Sequence, residues 1–278
     1  MILIVDSGST KTTWCVVGLD KSADTYITEG INPFLLGSDE ILHLMESELT
    51  FPRTDISKIW FYGSGCGIAD KNKMVHDVLS QFFKAPEIHV NSDLLATVHA
   101  LCSKQPGIAC ILGTGSNACY FDGRDIIQFV PSLGYVLDDK GSGCALGKKL
   151  LTDIFKKQLP EDIRKIFFDT YNVTAGEILD NIYCKPFPNR YMAQFAKFIA
   201  AHVNYPEIRA LANNCFREFF QRNIVQYEVA KKLPIHFTGS IAFHFCEILK
   251  ETAGEFGLTV GKIMKEPMPG LIAYHIES

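Results

Sequence analysis

Asp6-Ser7-Gly8-Ser9-Thr10-Lys11 follows the apolar run Ile2, Leu3, Ile4 and Val5, and Gly113-Thr114-Gly115-Ser116-Asn117 follows Cys110-Ile111-Leu112. In each copy an apolar strand enters a turn of small residues and a second strand leaves it, over 12–17 in one and 118–121 in the other. Such turns offer successive backbone N–H groups and let a phosphate approach without a Cβ in the way. Two of them facing across a cleft could hold the phosphates of one nucleotide. Asp6 closes a buried strand beside its turn, a costly place for a carboxylate unless a cation or donors answer it, and a nucleotide-borne Mg²⁺ would do so. Aligned on their small residues, the copies set Gly113 opposite Asp6, so only one of them brings a carboxylate to the metal.

Asn32, Asp93 and Asp139 also fall just past strands or in tight glycine-containing segments, which in an open α/β sheet point into the ligand crevice. Asp93, in Asn91-Ser92-Asp93-Leu94, reads equally as a helix N-cap or as a catalytic carboxylate. Asp139, in Asp138-Asp139-Lys140-Gly141-Ser142, reads as a solvated turn residue or a ligand contact. Three further glycine patterns carry less. Gly113-x-Gly115-x-x-Ala118 fits a dinucleotide fingerprint, but a strand and not a helix follows it. Gly141 to Lys149 misses the phosphate-loop spacing by one residue. Gly63-Ser64-Gly65-Cys66-Gly67 reads as a tight connection or a cleft lining, the connection being favoured.

Stepping outward, strands at 2–5, 12–17, 58–62 and 87–90 alternate with helices at 39–49, 71–83 and 94–102, an α/β layout. The pattern restarts with strands at 108–112, 118–121 and 126–130, then gives way to a helical stretch over about 145–232, punctuated by Pro186, Pro188 and Pro206. A strand at 234–237, a helix to about 254 and a short helix at 268–275 close the chain. The 278 residues, 47% hydrophobic and 21% charged, suffice for two modest cores. A formal net charge of -4 without a Lys/Arg block argues against nucleic acid or a membrane surface as partner and favours a small molecule. The first residues lack a basic leader and no apolar stretch is long enough to span a bilayer, so a cytoplasmic protein is expected. Nine scattered cysteines without a C-x-x-C read as reduced core thiols.

Taken together these segments resemble the acetate-kinase/sugar-kinase/Hsp70/actin superfamily, and within it the group of N-acetylglucosamine kinases and BadF/BadG-type ATPases, over nearly the whole chain. Asp6 to Lys11 looks like that family's first phosphate motif, Leu112 to Ser116 like its second, and Phe237-Thr238-Gly239-Ser240-Ile241-Ala242 like its adenosine motif. The resemblance implies two related ribonuclease-H-like, actin-like ATPase domains flanking a nucleotide and sugar cleft, here 1–105 and 106–278, with a helical insertion at about 145–232 and the last helix returning to the first domain. It implies ATP-dependent phosphorylation of an amino sugar, foremost N-acetylglucosamine at its 6-hydroxyl, by a homodimer. Asp93 is then the catalytic base. Ser7, Gly8, Ser9, Thr10, Lys11, Gly113, Thr114, Gly115, Ser116, Asn117, Thr238, Gly239 and Ser240 hold ATP, Asp6 orients Mg²⁺, and Asn32, Asp93 and Asp139 contact the sugar. Ser7 and Ser9 replace glycines of the family turn, Pro131-Ser132-Leu133-Gly134 stands where many members have G-G-W-G, and Asp138 and Lys140 replace Gly and Glu beside Asp139. Two alternatives share the scaffold: an ATPase activator of a dehydratase, disfavoured by the scattered cysteines, and a non-catalytic sugar- or nucleotide-sensing protein.

Overall fold

In the computed structural model, which describes residues 1–53 and 55–277, the apolar run at the start of the chain forms β1 (Ile2–Ser7), the middle strand of a five-stranded sheet. A strand covered on both faces needs a continuous apolar run, and Leu3, Ile4 and Val5 have no exposed surface. β1 pairs antiparallel with β2 (Lys11–Val17), which pairs antiparallel with β3 (Ala23–Glu29). After α1 (Ser38–Glu48), β4 (Lys58–Gly63) lies parallel to β1; after α2 (Ala69–Phe83), β5 (Glu87–Ser92) lies parallel to β4 and leads into α3 (Asp93–Leu101).

The second sheet repeats this order from β6 (Gly107–Leu112), which pairs antiparallel with β7 (Ser116–Phe121); β8 (Ile126–Phe129) lies outside β7. The helical stretch is not continuous. After a separate short helix, α4 (Gly134–Leu137), it breaks into α5 (Gly143–Phe155), α6 (Glu161–Tyr171), α7 (Ala175–Tyr183), α8 (Pro188–Ala193), α9 (Ala196–Ala201) and α10 (Pro206–Phe219), the last running into a π-helical turn, Phe220–Ile224, and residues 225–232 form turns, not the expected helix. Pro188 and Pro206 start helices, at the positions where the missing N–H costs nothing. β9 (Ile235–Thr238) lies parallel to β6. The helix expected after it is two, α11 (Ser240–His244) and α12 (Cys246–Glu255), with Phe245 at the break. β10 (Val260–Met264) lies parallel to β9 and α13 (Met268–Glu277) closes the chain.

The chain divides into two compact units, Met1–Gln105 with Glu266–Ser278, and Pro106–Lys265. Strand orders β3-β2-β1-β4-β5 and β10-β9-β6-β7-β8 are the same order read from opposite ends, so the duplication extends from one hairpin to the whole sheet.

Alternation along β1 sorts its side chains. Leu3 and Val5 join the core with Trp14, Phe61 and the buried stripe of α2, whereas Ile4 joins Tyr62, Ala96, Met268 and Leu271 beneath α3 and α13. That second seam is tight. The Tyr62 hydroxyl lies 2.9 Å from both His99 Nδ1 and His275 Nε2. Burial pushes both imidazoles down to about 4, with neighbouring positive charges adding to the effect at His275. Two neutral rings share the phenol when one donates to its oxygen and the other accepts its proton. A Cβ at Gly270 would stand 2.5 Å from the Ala100 carbonyl oxygen and 2.8 Å from the Ala100 Cβ. Gly270→Ala should therefore destabilise the protein by about 1–3 kcal/mol through overpacking, read as a lower Tm. The sign decides, because glycine to alanine within a helix otherwise gains up to about 1 kcal/mol.

Six of the cysteines, Cys15, Cys66, Cys102, Cys110, Cys119 and Cys144, are buried as expected of core thiols. Cys184 is exposed, and Cys215 and Cys246 are half-buried, which corrects the reading of all nine as core residues.

Candidate nucleotide and sugar site

Within the first unit, β1 carries Asp6 further into the sheet than the sequence suggested, since the strand runs on to Ser7. Asp6 alternates with Ile4 and so lies on the face covered by α3 and α13. Asp93 is the first residue of α3, partly exposed, and Glu266 precedes α13. Burial pushes the Asp6 carboxyl up to about 7, the charges of Asp93 and Glu266 push the same way, and Lys11 opposes them. Lys11 in turn forms an ion pair with Glu266. Three carboxylates and one lysine thus share the end of this sheet.

The N-cap reading of Asp93 is corrected: Ser92 caps α3, its hydroxyl accepting the Leu95 N–H at 3.3 Å. The Asp93 charge is also felt at Cys66, whose thiol burial pushes up to about 12. Strand register places Asp93 beside the 63–67 turn, since Ser92, the residue before it, pairs with Gly63.

Asn32 comes to the same region. Its Oδ1 accepts the Phe34 N–H at 2.9 Å and its carbonyl accepts those of Leu35 and Leu36, a side-chain-closed turn, while Nδ2 lies 3.5 Å from Ser9 Oγ. Gly65, at φ +84, sits where a Cβ would reach within 2.6 Å of Asn32 Oδ1. The 63–67 segment is therefore both a connection and the backing of Asn32.

The first turn closes through Gly8 N–H donating to Lys11 O at 3.0 Å, and Gly30 N–H donates to Thr10 O at 3.2 Å. A Cβ on Gly30 would stand 2.4 Å from Gly8 O, so Gly30 backs the turn itself. Ser7 is fully buried, its hydroxyl 2.7 Å from Thr12 Oγ1 and 2.9 Å from Ile31 O, so its side chain braces the base of the turn.

Within the second unit, β6 and β7 meet last at Leu112 and Ser116, as β1 and β2 do at Ser7 and Thr12. Counting from those pairs, the position of Asp6 in the second sheet is Ile111, not Gly113. Both are half-buried and stand one residue before the buried end of their strand. The asymmetry between the copies is therefore a carboxylate against an aliphatic side chain.

The turn at 113–115 is held from beneath. Gly113 N–H donates to Gly115 O at 3.0 Å, and the carbonyls of Gly113 and Thr114 accept from Gly143 and Cys144 at the start of α5, at 2.8 and 3.1 Å. Asp139, at φ +60, is 8% exposed, which corrects its reading as a solvated turn residue. Its Oδ1 accepts the Ser116 N–H at 3.0 Å, Ser132 Oγ lies 3.5 Å from the same oxygen, and a Cβ on Gly115 would stand 3.0 Å from both carboxylate oxygens. Burial pushes this carboxyl upward, and the Ser116 N–H opposes it. Asn117 spends its Oδ1 on the adjacent Ala118 N–H.

Thr238 is buried at the end of β9, and Ser240 is exposed at the start of α11. Gly239, at φ +115, leaves room for the chain itself, since a Cβ there would stand 2.2 Å from Leu112 O. Its need for glycine is thus met by the second turn's own strand.

Among the described residues no group of three or more His, Cys, Asp or Glu side chains stands close enough to hold a metal ion, and no helix is long and apolar enough to cross a membrane.

No protein-family model and no curated protein matches the chain. Among solved structures it is similar to a candidate N-acetylglucosamine kinase from Porphyromonas gingivalis, 42% identical with a TM-score of 0.96 over 100% of this chain and 99% of that one. A second such candidate, from Chromobacterium violaceum, is 16% identical with a TM-score of 0.74 over 98% of both chains. The ethanolamine utilization protein EutJ from Carboxydothermus hydrogenoformans is 12% identical with a TM-score of 0.55, over 98% of this chain and 87% of that one, a likeness of fold alone. The two five-stranded sheets with their helices are the α/β architecture of the actin-like ATPases.

Proposed function

This chain belongs to the N-acetylglucosamine kinase family, and we propose that it transfers the γ-phosphoryl group of ATP to the primary hydroxyl of an amino sugar, foremost the 6-hydroxyl of N-acetylglucosamine. The observation that carries this reading is Asp93 at the head of α3, in one electrostatic group with Asp6 and beside the turn that backs Asn32. The alternative of a dehydratase activator is not favoured, since the 42%-identical relative spanning the full chain is itself a candidate sugar kinase.

In the proposed reaction the Asp93 carboxylate accepts the proton of the sugar hydroxyl as its oxygen bonds to the γ-phosphorus, and the bond from that phosphorus to the β,γ-bridging oxygen breaks to release ADP. Asn32, its Oδ1 committed to its own turn, has its amide N–H groups for a sugar hydroxyl or the acetamido oxygen. Backbone amides of the 8–10 and 113–116 turns stabilise phosphate charge. Lys11 adds positive charge beside the first turn, and Gly239 and Ser240 lie against the adenosine.

Mg²⁺ enters as part of the substrate MgATP and neutralises phosphate charge. The residues fit it: Asp6 is held protonated to about pH 7 by burial and by the charges of Asp93 and Glu266, a strain that a divalent cation relieves. A single such carboxylate suits an ion that keeps most of its water.

A coupled ADP-release assay over amino sugars and hexoses tests the reading. Sugar-dependent ADP release with N-acetylglucosamine as the best acceptor is the expected result. Nucleotide binding without any sugar-dependent release would overturn it in favour of a sensing protein.

A further inference from the structure

Lys11 stands within reach of two carboxylates and is paired with only one of them. Asp6 lies opposite Thr13 across the β1–β2 pair, so Lys11, two residues away, is its diagonal neighbour on the same face of the sheet. Cys15, the next residue of β2 on that face, packs with Ile4 beneath α3 and α13. Diagonal neighbours on a sheet are close enough for a long side chain to touch, and the Lys11 charge does reach Asp6. Among the described residues, however, Lys11 forms its ion pair with Glu266 and not with Asp6. The two partners differ in freedom. Lys11 carries its ammonium on a flexible four-carbon stem, whereas Glu266 is followed by Pro267, whose carbonyl accepts the Leu271 N–H at 3.0 Å. Leu271 is fully buried, and Gly270 packs against Ala100 of α3. Glu266 is therefore the anchor, and the lysine is the part that can move.

We infer that Glu266 is a positioning residue that holds Lys11 off Asp6 and so keeps that carboxylate open to the Mg²⁺ of the nucleotide. This rests on the reading of Asp6 as the residue that meets the metal. A lysine on Asp6 would answer the carboxylate with a cation of the protein's own, and Mg²⁺ would have to displace it. On Glu266 the same lysine uses one of its three N–H donors and keeps two for phosphate oxygens beside the first turn. The third carboxylate at the end of this sheet thus serves the lysine and not the metal, in keeping with the lack, among the described residues, of any three acidic, histidine or cysteine side chains close enough to hold an ion.

The test is a double-mutant cycle in the full chain, read from ligand binding. Calorimetric titration with ADP at a series of Mg²⁺ concentrations gives the Mg²⁺ level at which binding is half-maximal. Glu266→Gln should raise that level by about two- to fivefold, the range commanded by an ion pair as exposed as this one. In the Lys11→Met background, where no lysine is released, Glu266→Gln should leave it within about 1.5-fold. An equal rise in both backgrounds would show that Glu266 attracts the cation by its own charge and would overturn the inference, as would an unchanged or lower Mg²⁺ requirement in Glu266→Gln. A crystal structure of ligand-free Glu266→Gln follows the lysine independently of any metal. Lys11 Nζ should lie within about 4 Å of an Asp6 carboxylate oxygen, and a lysine still against position 266 would overturn the inference. If Asp6→Asn keeps the parental Mg²⁺ requirement, the metal reading of Asp6 fails, and the structure still decides which side chain Lys11 takes once Glu266 is neutral.

Discussion

Asp93→Asn should lower kcat by about 10²–10⁴-fold while leaving MgATP binding within a few-fold of the parent, since general-base catalysis is worth that much and the nucleotide does not depend on the base. The substitution is clean because the helix does not rely on this side chain for its cap. Ser92 fills that role, and loss of a charge in the first turn costs only about 0.3–1 kcal/mol of dipole interaction. A structural role for Asp93 would instead lower Tm and raise both Michaelis constants. The second readout is electrostatic. The Asp93 charge helps to hold the Asp6 carboxyl up, so Asp6 should titrate at lower pH in Asp93→Asn, measurable from its carboxyl signal in the ligand-free protein. Steady-state kinetics at saturating sugar settle the first point, and parental turnover by Asp93→Asn would remove Asp93 from the chemistry.

How far the sequence discloses such a site depends on whether a residue's partner is local. β1 is legible because a central strand is apolar on both faces, and the stripe of α2 because one face is buried. The edge strands β3 and β10 are not. Ala23-Asp24-Thr25-Tyr26-Ile27-Thr28-Glu29 buries only Thr28 fully, and no residue of β10 is fully buried, so neither shows an apolar rhythm. The duplicated hairpin is legible, but its register is not. Aligning small residues sets Gly113 against Asp6, whereas the strand pairs set Ile111 there, because the two turns differ in length. Ser7 looks like a turn residue in sequence and is a strand residue facing Ile31. Glu266 carries no signal at all: nothing local links it to Lys11, and only the return of the chain ahead of α13 brings them together. Asp139 shows the limit most sharply. Its motif is readable, but the direction of its carboxylate is set by the Ser116 N–H more than twenty positions away.

Asp6→Asn should separate activity from stability in opposite directions. The variant should lose most of its kcat and its response to Mg²⁺, yet be more stable than the parent in metal-free buffer at pH 8. The sign follows from the titration. In the unfolded chain Asp6 ionises near the ordinary value of 3.8, and in the fold at about 7. The fold thus favours the protonated form. The advantage is fully present below about pH 4, falls as pH rises through the interval between those values, and is gone above about 7. At about 1.4 kcal/mol per pH unit, the ceiling on the penalty at pH 8 is about 4 kcal/mol for the parent, and Asn escapes it because it has no charge to bury. Tm of parent and variant should accordingly coincide most closely near pH 4 and diverge towards pH 8. Mg²⁺ together with nucleotide should raise the parent's Tm more than the variant's, since only the parent has a buried charge for the cation to answer. A Tm difference independent of pH would show that Asp6 is ionised at no cost in the fold, and an undiminished Mg²⁺ response in Asp6→Asn would place the ion elsewhere. Both outcomes together would mark Asp6 as a carboxylate that weakens the resting protein and is kept for the cation that answers it.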